Sequence, residues 1–202
     1  MPAPTSFPLY LVLHLPKTAG TTLRRNFEQH FGKTLLPLYW RQGVVPDDRL
    51  IHQIPTEEMA ALTRSYMQQY GSASVRCIFG HAVHLKSHVL FDELFGTQVA
   101  PRHITFLREP VAQAISQYHV FSTTNASPEG RLVRERGWSI EEWMEKGSSI
   151  RASNFQLRFL LRAAGQFESG REVTAKDLEN IKDVLRQFWF VGTQETFHQD
   201  SH

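Results

Sequence analysis

The sequence feature that most constrains the fold is an apolar run that ends in a lysine-bearing turn and is followed by a helical pattern. Leu9–Leu15 has the sequence LYLVLHL, which is typical of a strand buried on both faces of a parallel sheet. The polar turn Lys17–Thr22 comes next. After it, Leu23, Phe27 and Phe31 recur at i, i+4 and i+8, so they share one face of a helix. The chain is therefore predicted to open with a strand, a turn and a helix, which is the basic unit of an α/β fold.

Further strand and helix patterns alternate along the chain. Strands are predicted at Val75–Phe79, Arg102–Arg108 and Phe188–Gly192, and helices at Thr56–Tyr70, Pro110–Tyr118, Ser139–Trp143, Asn154–Leu161 and Thr174–Gln187. Two polar segments, Thr34–Pro55 and Ser122–Gly137, are predicted to be loops, and the second is the best candidate for a mobile lid. No repeat or linker interrupts this order. We therefore expect one α/β domain over residues 1–202, with a mostly parallel central sheet flanked by helices. An open sheet would ordinarily continue into a helix after its last strand, so we expect this domain to be shortened at its C-terminus.

Composition excludes several classes of protein. The 22 basic and 20 acidic residues leave a net charge of only +2, which disfavours binding of nucleic acid through a general basic surface. The single cysteine, Cys77, can form neither an internal disulfide nor a cysteine-based zinc site. No segment approaches the roughly 20 apolar residues of a transmembrane helix, and no basic residue precedes the first apolar run as in a secretory signal. We expect a cytoplasmic protein and leave peripheral membrane attachment open.

The turn after the first strand has the chemistry of an anion-binding loop. Its members are Lys17, Thr18, Ala19, Gly20, Thr21 and Thr22. Small residues let main-chain N–H groups approach an anion, the helix N-terminus adds a favourable dipole, and lysine adds a positive charge. The loop lacks the glycine pattern of the nucleoside triphosphate loop G-x-x-x-x-G-K-[ST], so ATP and GTP are disfavoured. The alternative is a surface lysine that precedes a threonine-capped helix.

A second pair of candidate residues follows the third predicted strand. Arg108 ends that strand, and Ser116 lies two turns into the next helix, so the two could hold a further phosphate from two sides. In a parallel sheet, ligands bind beyond the carboxyl ends of the strands, where Lys17, Arg108 and His81 all fall. The alternative is that Arg108 pairs with Glu109 and that Ser116 is an ordinary helix-surface serine.

Together these motifs resemble those of sulfotransferases that use 3′-phosphoadenosine 5′-phosphosulfate (PAPS). The sequence PKTAGTT at residues 16–22 resembles the 5′-phosphosulfate loop, and Leu-Arg-Glu-Pro at residues 107–110 with Ser116 resembles the 3′-phosphate motif. The likeness is greatest to carbohydrate sulfotransferases of the uronyl and heparan 2-O-sulfotransferase branch and their bacterial relatives. Phe79-Gly80-His81, the segment Asn154–Leu160 and the segment Phe190–Thr193 also resemble parts of that branch, in the family's order.

The resemblance implies a P-loop-like fold, PAPS as co-substrate and a saccharide or other small hydroxylated acceptor. It implies that Lys17 stabilises the leaving group, that main-chain N–H groups of Thr18–Thr22 hold the 5′-phosphate, and that Arg108 and Ser116 hold the 3′-phosphate. It assigns the general base to His81, because an attacking hydroxyl must lose a proton, and the alternative is a histidine that satisfies a main-chain carbonyl in a turn. Arg158 is a further candidate for contact with donor or acceptor, with a structural role in its helix as the equal alternative.

Other interpretations remain open at this point. A P-loop-type kinase would need the missing glycine pattern and an aspartate for magnesium. A nucleotide-binding module without turnover is the alternative from another class. His84 and His88 could bind a metal if their segment were helical, but without suitable carboxylates we predict no metal site, and sulfuryl transfer needs none.

Overall fold

The centre of the protein is a sheet of parallel strands in a computed structural model that describes residues 8–38, 61, 75–81, 83–85, 101–124, 128–147, 154–166 and 171–197. Its strands are β1 (Leu9–Leu13), β2 (Leu35–Pro37), β3 (Cys77–Gly80), β4 (Pro101–Leu107) and β5 (Phe190–Thr193). They lie in the order β2-β3-β1-β4-β5, and every pairing is parallel. The predicted α/β class is confirmed.

Helices cover both faces of this sheet. They are α1 (Gly20–Phe31), α2 (Pro110–Thr123), α3 (Pro128–Arg136), α4 (Ile140–Lys146), α5 (Phe155–Ala163) and α6 (Ala175–Arg186). Because successive strand residues point to opposite faces, β1 supplies two separate cores. Leu11 and Leu13 belong to one core with residues of α5 and α6, and Val12 belongs to the other with Leu23 of α1. The result is the three-layer arrangement that the sequence predicted.

Local signals placed several helix ends correctly. The predicted cap at Ser139 is a capping box, in which Ser139 and Glu142 each accept a hydrogen bond from the other's main-chain N–H. Thr174 and Asp177 form the same motif at the start of α6. Each motif joins residues three positions apart in the chain, so the sequence was sufficient to show it.

Two predicted loops contain regular structure, and the prediction was wrong there. Within Thr34–Pro55, the segment Leu35–Pro37 is strand β2, which pairs with β3. The predicted lid Ser122–Gly137 contains the end of α2 and all of α3. Val133 of α3 is buried in a third core with Phe121 and Trp143, and this packing compensates for the polar composition of the segment.

Some predictions fall on residues outside the described ranges. These are the helix Thr56–Tyr70 apart from Ala61, the loop from residue 39 to residue 55, and His88. Among the described residues, no helix combines the length and the apolarity needed to cross a membrane.

Candidate anion-binding site

The candidate residues lie at the carboxyl edge of the sheet, just after three of its strands. β1 lies between β3 and β4, so the segments that carry Lys17, His81 and Arg108 leave three adjacent strands at the same edge. α1 connects β1 to β2 on one side, whereas α2 leaves β4 in the direction of β5 on the other. Ligands of open α/β sheets bind where the connections diverge in this way.

The loop after β1 has an unusual main-chain conformation. Lys17 has φ +70° and Ala19 has φ +61°, whereas Thr18 between them does not have a positive φ. A left-handed conformation costs a non-glycine residue roughly 1–2 kcal/mol, so the surrounding structure must hold it in place. The hydroxyl of the fully buried Thr18 helps to hold this conformation, because it donates a 2.8 Å hydrogen bond to the carbonyl of Leu15. Such alternation of φ turns successive N–H groups toward one side, the arrangement known as an anion-binding nest.

The N–H groups that remain available are those at the very start of α1. In the part of the chain that the structure describes, the N–H groups of Thr18, Ala19, Gly20 and Thr21 have no hydrogen-bond acceptor, and of these four residues Thr18 alone is fully buried. Thr22 and Leu23 each donate instead to the carbonyl of Ala19, at 3.1 Å. The sequence assigned the N–H groups of Thr18–Thr22 to an anion, and the geometry favours the three at Ala19, Gly20 and Thr21.

Two cations meet at the mouth of this loop. The guanidinium of Arg108 donates from Nη1 to the carbonyl of Lys17, at 3.1 Å. Burial, followed by the charge of Arg108, lowers the pKa of Lys17. Across the described ranges, neither side chain forms an ion pair with a carboxylate. Two converging cations without an acidic partner form a site suited to an anion.

The neighbouring carboxylate is occupied elsewhere. Glu109 is the N-cap of α2, and its side chain accepts hydrogen bonds from the N–H groups of Val111 and Ala112, at 3.0 and 2.6 Å. These bonds, the one from Val111 first, and then the charge of Arg108 hold the pKa of Glu109 below its usual value, although no ion pair joins Arg108 to Glu109 in the described ranges. The alternative in which Arg108 pairs with Glu109 is therefore not the arrangement found.

His14 and His81 form a pair at the ends of β1 and β3, on the opposite side of β1 from the strand that leads to Arg108. The register that pairs Leu13 with Gly80 also aligns His14 with His81, and the two rings stack with centroids 4.4 Å apart. Nδ1 of His81 lies 2.6 Å from the main-chain carbonyl of His14, which can only accept a hydrogen bond. If His81 is neutral, this contact places its proton on Nδ1. The contact fits the alternative of a histidine that satisfies a main-chain carbonyl, and the role of His81 as general base stays a prediction.

His14 has a structural part in this arrangement. Its ring is buried against the main chain of Gly20, where an added Cβ would lie 1.7 Å from Nε2 of His14. Burial, and then the charges of His81 and Arg24, lower the pKa of His14 to about 2. The stack therefore pairs His81 with an imidazole that is neutral at physiological pH. Gly20 is needed for this close packing, in addition to the close approach of an anion that its place in the loop predicts.

The other two candidates have less specific surroundings. Ser116 is half-buried in α2, eight positions after Arg108, and its placement neither supports nor contradicts a phosphate contact. Arg158 is buried in α5 and donates from Nη1 to the carbonyl of Arg171, at 3.0 Å. This bond fits the structural alternative for Arg158, and its contact with donor or acceptor stays a prediction.

One functional candidate was missed by reasoning from residue types. The amide of Gln156 in α5 binds both the N–H and the carbonyl of Arg108, at 2.9 and 2.7 Å. In the sequence, Gln156 appeared only within the motif Asn154–Leu160. Its partner lies 48 positions earlier, so no local pattern could have shown the contact.

A large apolar cleft adjoins Arg108. It has a volume of about 890 Å³ and lies among α2, α4, α5 and α6. Arg108 and Gln156 belong to its lining, whereas Lys17 and His81 do not. The cleft is therefore separate from the loop and the histidine pair.

Comparison with known proteins adds no family assignment. No family model, curated protein or solved structure matches the chain. The loop, the two cations and the histidine pair are therefore the features of the chain that bear on its function.

Proposed function

We propose that this chain is a sulfotransferase that moves a sulfuryl group from PAPS to a hydroxyl of a saccharide or another small acceptor. The observation that carries the proposal is the meeting of Lys17 and Arg108, without a carboxylate partner in the described ranges, beside the open N–H groups at the start of α1. Two separate sources of positive charge suit a nucleotide with anionic groups at both its 5′ and 3′ positions.

In this proposal the two ends of the donor bind different segments. The N–H groups of Ala19, Gly20 and Thr21 hold the 5′-phosphate, with Lys17 beside it. Arg108 and Ser116 hold the 3′-phosphate, as the resemblance to sulfotransferases implies. A guanidinium left without its phosphate would be poorly paired, so this contact favours PAPS over a nucleotide without a 3′-phosphate.

The transfer step uses Lys17 and His81. An oxygen of the acceptor forms a bond to sulfur while the bond from sulfur to the bridging phosphate oxygen breaks. His81 accepts the acceptor's proton at Nε2, and its Nδ1–H stays bonded to the carbonyl of His14. Lys17 stabilises the negative charge that develops on the leaving oxygen of adenosine 3′,5′-bisphosphate.

The direct test is calorimetric titration of the purified chain with adenosine 3′,5′-bisphosphate, ADP and magnesium-ATP. We expect the bisphosphate to bind at least about tenfold more tightly than the other two, because only it engages both cations. Lys17→Ala should lose this binding, and the matched variant Lys33→Ala, at an exposed lysine after α1, should keep it. Preference for magnesium-ATP would replace the proposal with a phosphotransferase, and no binding by folded protein would overturn the donor site.

A further inference from the structure

We infer that Gln156 is a positioning residue that fixes Arg108 for recognition of the donor's 3′-phosphate. The inference rests on the proposed function and goes beyond it, because it names the residue that sets the preference between 3′-phosphorylated nucleotides and their 3′-hydroxyl counterparts.

The amide of Gln156 binds both main-chain polar groups of Arg108. Its Oε1 accepts a hydrogen bond from the N–H of Arg108, at 2.9 Å, and its Nε2 donates to the carbonyl of Arg108, at 2.7 Å. Strand β4 ends at Leu107, so the sheet no longer supplies partners for these two groups. A primary amide carries an acceptor oxygen and an NH2 donor group in one plane, and it can therefore continue the strand pairing for one residue.

The side chain of Arg108 is fixed at a second point. One of its five N–H donors binds the carbonyl of Lys17, and the others have no acceptor in the part of the chain that the structure describes. The main chain of Arg108 is thus held by α5, and its guanidinium is held by the loop after β1. A guanidinium oriented in advance loses less conformational entropy when it binds a phosphate.

This arrangement makes the role of Gln156 specific to one end of the donor. The groups proposed for the 5′-phosphate belong to the loop after β1, and Gln156 forms no hydrogen bond with them in the described ranges. Loss of the amide should therefore weaken binding of the 3′-phosphate far more than binding of the 5′-phosphate, which it can affect only through the bond from Arg108 to the carbonyl of Lys17. A residue needed only for stability would weaken both equally.

The experiment compares two nucleotides that differ only in the 3′-phosphate, adenosine 3′,5′-bisphosphate and adenosine 5′-monophosphate. Gln156→Met keeps the length of the side chain and removes both hydrogen bonds. We expect it to raise the Kd of the bisphosphate about tenfold and to change the Kd of the monophosphate less than about twofold. Gln187→Ala, at an exposed glutamine after α6, is the control and should change neither Kd.

Two further measurements keep the inference testable if Gln156→Met is unstable. Gln156→Glu retains an acceptor for the N–H of Arg108 but removes the donor to its carbonyl, so it too should reduce the preference for the bisphosphate. Hydrogen exchange at the N–H of Arg108 should be faster in Gln156→Met than in the wild type, and Gln156→Glu, which keeps the acceptor, should change it less.

The outcomes separate this inference from the proposed function. A wild type that does not prefer the bisphosphate would overturn both. A wild type that prefers it, with Gln156 variants that keep the same preference, would overturn the inference alone. An equal loss of affinity for both nucleotides would assign Gln156 a purely structural role and would also overturn it.

Discussion

Replacing Gly20 with alanine tests whether the packing of His14 shapes the site. The new Cβ would lie 1.7 Å from Nε2 and 1.9 Å from Cε1 of His14. The ring would have to move by roughly 2 Å to restore an ordinary contact of about 3.5 Å. It cannot move freely, because it is buried and lies between Gly20, His81 and Phe79. Overpacking of this kind costs about 1–3 kcal/mol, and we expect that loss in the free energy of unfolding.

A double-mutant cycle identifies the cause. The free energy of unfolding is measured by urea denaturation for wild type, Gly20→Ala, His14→Ala and the double variant. Without the His14 ring, Gly20→Ala should be neutral or slightly stabilising, since alanine favours a helix by about 0.5–1 kcal/mol. If Gly20→Ala costs as much in the His14→Ala background as in the wild type, or costs nothing in the wild type, the packing argument is refuted.

Other predictions concern the proposed chemistry, the buried imidazole and α3. Lys17→Ala should remove most sulfuryl transfer in a radiolabel assay while the protein stays folded, and a wild-type rate would exclude Lys17 from the step. His81→Ala should lower the rate by about a hundredfold with bisphosphate binding intact, and an unchanged rate would place the base elsewhere. Because the pKa of His14 is about 2 in the folded state and 6.5 ordinarily, only the unfolded state gains that proton as the pH falls. Stability should therefore decrease below pH 6.5 by at most about 1.4 kcal/mol per pH unit, and His14→Gln should reduce that slope in urea titrations at pH 5 and 7. Val133→Ala should cost about 1–3 kcal/mol because Val133 is buried, whereas Leu132→Ala, at 37% exposure, should change stability by less than about 0.5 kcal/mol; equal effects would argue against the packing of α3.

The elements that the sequence predicted correctly are those with a local cause. The first strand and α1 follow from a run of apolar residues and a helical spacing, and α4 and α6 begin at capping boxes. Each of these signals is complete within a few neighbouring residues.

The elements that the sequence missed depend on partners elsewhere in the chain. Strand β2 has only three residues and exists through its pairing with β3. α3 has a charged composition, and the burial of Val133 depends on partners in α2 and α4.

The same distinction applies to the candidate site. The residue types of the loop, with Lys17 and the small residues after it, indicated anion binding without any knowledge of the fold. The sequence also placed His81 and Arg108 after strands, and parallel pairing then brings both to one edge. It did not show the positive φ of Lys17 and Ala19, since neither is glycine.

The sequence by itself determined the α/β class and the chemistry available at the carboxyl edge of the sheet, because both depend on short-range patterns of polarity and residue type. Only the tertiary structure decided how those residues meet. The contact of Arg108 with Lys17 spans 91 positions, and the bond from His81 to His14 spans 67. Such contacts depend on the strand order, on the register that aligns β1 with its neighbours, and on the packing of α5 against the end of β4, where Gln156 reaches Arg108. These are properties of the whole sheet, and no local segment encodes them.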